Sequence, residues 1–228
     1  SIAANSAKNS SGSMAPLIGP STSVMVSNSL PSVAFTKTTN LEYPGKLANQ
    51  KFDFYYPNDY SSKRNIPIFI WIHGGGWSGG DKDADNEISE KIAKLGFFVI
   101  NANYTLAPTT PTPYPQLTLP AAPYSLGQDD INGLITFVKS AILQYNGDIN
   151  KITIARGSAG GLLALYQATR PENSTTFQCV ISAAGPSDLV SGNNIQNYPV
   201  TKFIINYVFG NNLSVLSNNS PTYQIQNL

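Results

Sequence analysis

"ITIARGSAGGLL", residues 152–163, passes from a β-branched run through a glycine-flanked serine into leucines able to open a buried helix. A serine hydroxyl is a weak nucleophile. To react it must be presented at a strand-to-helix turn tight enough to force unusual backbone angles, which requires small residues two before and two after, G-x-S-x-G. Here the segment reads Arg156-Gly157-Ser158-Ala159-Gly160, followed by Gly161. The downstream half fits, and a helix beginning at Ser158 would turn free N–H groups toward an oxyanion formed there. The upstream half departs, because Arg156 puts a long side chain where close packing normally allows almost none. Taken alone, "GSAGG" is equally a glycine-rich strand-to-helix turn without chemistry.

A second glycine cluster bears on that choice. "HGGGW" (73–77) closes the apolar run Ile66–Ile72. Glycines there let backbone N–H groups approach a substrate without side chains in the way. Gly74 and Gly75, with the N–H of Ala159, are therefore candidate oxyanion-hole donors. A phosphate-binding loop is the competing reading; no Walker lysine follows, and an Ile-rich strand and Trp77 flank the glycines.

The 228 residues suit one good-sized α/β domain, with 41% apolar and 11% aromatic residues to fill a core. Net charge is +1 and only 12% of residues are charged, about half the usual share. No Lys/Arg cluster exists to neutralise phosphates, which argues against a nucleic-acid partner. No apolar window is long enough to span a membrane. The low charge and the abundance of Asn, Ser, Thr and Tyr fit a secreted or periplasmic protein. Cys179, the one cysteine, sits in "CVISAA" and is expected to be a small buried hydrophobe.

Residues 1–32, rich in Ser, Ala, Asn and Pro, read as a flexible leader or linker, and the domain as 33–228. Two alternating segments, 32–43 and 51–57, predict an antiparallel lead-in. Ile66–Ile72, apolar on both faces, predicts a central strand. A helix follows over 85–96 with Ile88, Ile92 and Leu95 inward, then a strand from 97 and a proline-rich surface loop over 109–128. The next helix carries Ile131, Leu134, Ile135, Val138 and Ile142 on one stripe, with Asp129 and Asp130 at its N-terminus. Strands at 151–157 and 177–186 flank a helix from Ser158; another helix precedes a polar tail, 211–228. Strands alternating with helices imply a mostly parallel sheet with helices on both faces.

The ordered segments "IPIFIWIHGGGWSGGD", "NANYTLAP", "ITIARGSAGG" and "AAGPSDL" resemble the α/β-hydrolase fold. The resemblance is to hormone-sensitive-lipase-like and feruloyl/acetyl-esterase-type carboxylesterases, from about Asp53 onward. It implies a hydrolase acting on a small ester through an acyl-enzyme on Ser158, with Gly74, Gly75 and Ala159 as oxyanion donors and no cofactor or metal. His73, Gly76, Trp77, Gly157 and Gly160 would support these motifs, and His73 would shape the glycine loop. Gly157 stands where the family usually has an acidic residue.

In that family a triad acid and histidine follow the nucleophile on later strands. His73 is the sole histidine and precedes Ser158, so acid and base are expected outside this sequence. The C-terminal strands are accordingly read as missing, to be supplied by a further segment or a second chain. Without them strand 177–186 would be an open edge. Asp188 is expected to cap a loop, and as a candidate partner for Arg156. A non-catalytic hydrolase-fold binding or adhesion protein remains the reading of another class; a peptidase of the same fold fits the esterase-type motifs less well.

Overall fold

The computed structural model describes residues 32–45, 49–107, 124–194 and 199–225. The expected leader, apart from Ser32, lies outside the described residues, as does the proline-rich segment 108–123.

Among the described residues, six strands form one mixed sheet in the order β1-β2-β4-β3-β5-β6. They are β1 (Phe35–Pro44), β2 (Asn49–Pro57), β3 (Ile66–Ile72), β4 (Phe98–Ala102), β5 (Gly147–Gly157) and β6 (Phe177–Ala183). The lead-in pair is antiparallel, and β2 meets β4 antiparallel. The ladders β3–β4, β3–β5 and β5–β6 are parallel.

Alternation along β3 sorts its side chains into two layers. Ile66, Ile68, Ile70 and Ile72 pack with helices α2 (Tyr124–Ala141) and α3 (Ser158–Ala168). The intervening Phe69 and Trp71 pack on the other face, with Ile92 and Ala93 of α1 (Asn86–Ala93) and with Tyr55 and Val99. All five residues of β4 are buried, as expected of a strand covered on both sides. The stripe Ile131, Leu134, Ile135, Val138 and Ile142 is buried as its spacing requires.

Three expectations are corrected. Helix α2 begins at Tyr124, so Asp129 and Asp130 lie in its second turn. Asp130 is buried, and its Oδ2 accepts the Thr105 N–H at 2.8 Å. Leu95 falls beyond α1 and is exposed, because the helix stops at Ala93 and the chain turns at Gly96, whose φ is +94°. Cys179 is exposed, since β6 is paired along one side only by β5 among the described residues, and Cys179, Ile181 and Ala183 alternate on its open face.

The polar tail is helical: α4 (Leu189–Asn194) and α5 (Pro199–Phe209) are followed by α6 (Leu213–Asn218) and α7 (Pro221–Gln224). The Asn212 side chain caps α6 by accepting the N–H groups of Ser214 and Val215, and Pro221 opens α7.

A buried ionic cluster ties the lead-in strands to the segment after β3. Asp53, fully buried on β2, forms ion pairs with Lys82 Nζ at 2.9 Å and Lys37 Nζ at 3.1 Å and accepts the Asn40 N–H at 3.0 Å. Burial works to raise the Asp53 pKa, but the Asn40 N–H and the two ammonium groups together outweigh it and hold the carboxylate below its ordinary range. Asn101 donates to the Lys82 carbonyl, and Asn103 accepts the Lys82 N–H. The "NAN" (101–103) that ends β4 and leaves it thus fixes the same segment.

Candidate active site

Three motifs distant in sequence meet at the C-terminal ends of the parallel strands. Gly157 ends β5 and stands at the N-cap of α3, whose first residue is Ser158. Ser158 is exposed and has φ +53°. A non-glycine residue in the left-handed region is sterically strained, and such strain gathers at functional turns. Ala159, buried, supplies one of the first helical N–H groups, which have no partner within the helix. A Cβ on Gly160 would lie 2.5 Å from the Ile72 carbonyl oxygen and 2.6 Å from that of His73. Only glycine lets α3 approach the end of β3 this closely.

The "HGGGW" loop lies beside the elbow. The Cβ position of Gly74 is 3.7 Å from Ser158 Cβ and 3.5 Å from the Gly157 carbonyl oxygen. Gly75 turns the loop with φ +121°, and a Cβ there would sit 2.2 Å from the Gly79 carbonyl oxygen. Gly76 and Trp77 also have positive φ, +60° and +61°. Trp77 is buried edge-on against Phe209 of α5, with ring centroids 5.0 Å apart.

His73 lies beneath this loop. Its ring stacks on Tyr104 at 4.4 Å, and its Nδ1 is 2.7 Å from the Gly74 carbonyl oxygen. Burial is the largest influence on the imidazole and lowers its pKa, which favours the neutral ring donating from Nδ1 to that carbonyl. The "YTLAP" segment braces the loop from the side, since the Ala107 N–H donates to the Trp77 carbonyl at 2.7 Å.

A cavity of about 340 Å³ opens over Ser158, a size suited to a small molecule. Gly76, Trp77, Ser158 and Ala159 form one side; Ala184, Gly185 and Pro186 after β6, and Thr201, Ile204 and Ile205 of α5, form the other. None of these side chains is ionisable. Ala184, like Ser158, has positive φ, +54°. The α5 and post-β6 walls were not legible as site residues, because which helix folds over the elbow depends on tertiary path. The apolar stripe of α5 was the only available signal.

Arg156 does not pair with Asp188. Its Nη1 is 2.8 Å from Asp85 Oδ1, while Asp188 accepts the N–H groups of Val190 and Ser191 and so starts α4. Asp85 stands at the N-cap of α1. Among the described residues no cluster of metal-ligating side chains occurs, and no helix is long and apolar enough to cross a membrane.

Residues 52–227 match the BD-FAE family. The chain is 26% identical over 148 residues to a fumonisin B1 esterase of Sphingopyxis macrogoltabida, covering 61% of this chain and 27% of that protein. It is 30% identical over 105 residues to the carboxylesterase NlhH of Mycobacterium tuberculosis, covering 46% and 29%. The chain therefore spans less than a third of either relative's length. Among solved structures, esterase B from Lactobacillus Rhamnosis superposes with a TM-score of 0.66 at 19% identity, over 89% of this chain and 64% of that one. The esterase of Pyrobaculum calidifontis gives 0.63 at 19% identity, over 82% and 61%. At those identities the structural likeness establishes the α/β-hydrolase fold.

Proposed function

The chain belongs to the BD-FAE family, and from that premise we propose that it carries the nucleophile half of a serine carboxylester hydrolase. Ser158 Oγ attacks the ester carbonyl, and the N–H groups of Gly74, Gly75 and Ala159 hold the oxyanion. The alcohol leaves, and water releases the acyl group from Ser158. The observation that carries this reading is the exposed Ser158 at φ +53° on the N-terminus of α3, with Gly74 alongside and an uncharged cleft above.

Proton transfer needs a base. The only imidazole in the sequence is engaged beneath the glycine loop, so the triad histidine and acid belong to residues outside these 228. A further segment or a second chain pairing along the open edge of β6 would bring them to Ser158. The uncharged lining favours a small neutral acyl group, and the sparsely charged, Asn/Ser-rich composition supports export from the cytoplasm.

A p-nitrophenyl ester series tests the proposal. Short acyl esters should give a pre-steady-state burst of p-nitrophenol equal to the enzyme concentration, followed by slower turnover, and activity should fall as the acyl chain outgrows the cleft. A second reading, a hydrolase-fold binding protein, draws on Arg156 in the elbow and on the position of His73; it predicts no burst with any ester.

A further inference from the structure

Arg156 occupies the elbow position that the close-packed pattern reserves for a small residue, and its surroundings assign it a task. Its Nη1 is 2.8 Å from Asp85 Oδ1, an oxygen of a carboxylate that is itself almost wholly buried. The guanidinium carbon stands 5.3 Å from the Trp71 ring centroid, a cation–π distance. Arg156 Nε is buried without a hydrogen-bond partner and lies 3.7 Å from the Cβ position of Gly74. That same point is 3.7 Å from Ser158 Cβ. The side chain thus runs from the elbow, under the first glycine of the loop, to the start of α1.

We propose that Arg156 is the positioning residue of the glycine loop: anchored by Asp85 and the Trp71 face, it fills the space beneath Gly74 and fixes the loop against Ser158. In an elbow with a small residue at this point, direct backbone packing would set that distance. Here a side-chain strut does so, joining the two parts of the site that must hold one oxyanion. A misplaced donor costs rate without loss of fold. The kinetic consequence rests on Ser158 being the nucleophile; the ordering of the loop does not.

The test uses the intact protein and the variants Arg156→Met, Arg156→Lys and Asp85→Asn. Amide hydrogen exchange is followed over residues 74–77 and over β3, and the second-order rate of Ser158 phosphorylation by diethyl p-nitrophenyl phosphate is measured. In Arg156→Met the loop amides should exchange at least ~10-fold faster and phosphorylation should slow at least ~10-fold, with β3 unchanged. Arg156→Lys should recover part of both effects, and Asp85→Asn should resemble Arg156→Met. Loop exchange within twofold of the native protein, or loosening that extends equally through β3, would overturn the proposal. If the native protein is not phosphorylated, the nucleophile reading fails, and the exchange data alone decide the role of Arg156. Should Arg156→Met not fold, Asp85→Asn makes the same comparison.

Discussion

Ser158→Ala should abolish ester hydrolysis, with turnover falling about 10⁴–10⁶-fold, while the protein remains folded. The side chain is exposed and its neighbours hold the fold without it; the core beneath consists of Ala159, Leu162 and Leu163 packed against β3. Ser158→Gly separates strain from chemistry. At φ +53° a Cβ is strained, so glycine should raise stability by about 1 kcal/mol while activity is lost to the same degree as with alanine. Thermal melts and p-nitrophenyl acetate turnover on the two variants check both halves. A Ser158→Ala protein retaining more than a tenth of native turnover would move the nucleophile elsewhere.

Lys82→Met should be the most damaging substitution away from the site, costing about 3 kcal/mol. Lys82 and Asp53 are both buried and 2.9 Å apart. Removing the ammonium leaves the carboxylate with Lys37 and the Asn40 N–H alone. The pH dependence follows from the direction of the shifts. The Asp53 pKa is lowered in the folded state, so its contribution is complete above the unfolded carboxylate value near ~3.9 and is lost as pH falls through the folded value.

Lys37 and Lys82 have raised pKa values: desolvation opposes the shift, but hydrogen bonds and charge from Tyr55 and Asp53 prevail for Lys37, and those from Asp83 and Asp53 for Lys82. Their contribution is complete below ~10.4 and is lost as pH rises through the folded values. The deficit of Lys82→Met in urea unfolding should therefore be level between about pH 5 and 9 and should shrink below about pH 4 as Asp53 protonates. A deficit that persists unchanged at pH 3 would show that lost packing, and not charge pairing, carries the cost.

The parts of the molecule legible in the sequence are those where one local rule governs. The apolar run Ile66–Ile72 marked a central strand, helical spacing found the buried stripe from Ile131 to Ile142, and two glycine clusters marked segments that the fold sets side by side. Where two distant segments compete for a side chain, sequence could only nominate a partner. Arg156 needed a carboxylate, and the candidate in the motif order, Asp188, is spent on the first turn of α4; Asp85 meets it because the chain before α1 returns beside the end of β5. Cys179 misled because a place in an apolar run was taken to mean burial, whereas alternate residues of β6 face outward. The short helix after Asn212 carried a readable cap and Pro221 a readable start for the last one, which a tract of Asn and Ser obscures, since the same residues cap helices and build turns.

Treating the intact protein with a biotinylated fluorophosphonate, then locating the adduct by peptide mass, tests the central claim most directly. A single stoichiometric adduct on Ser158, absent after Ser158→Ala, is the predicted result; no adduct, or one on any other residue, would contradict the account.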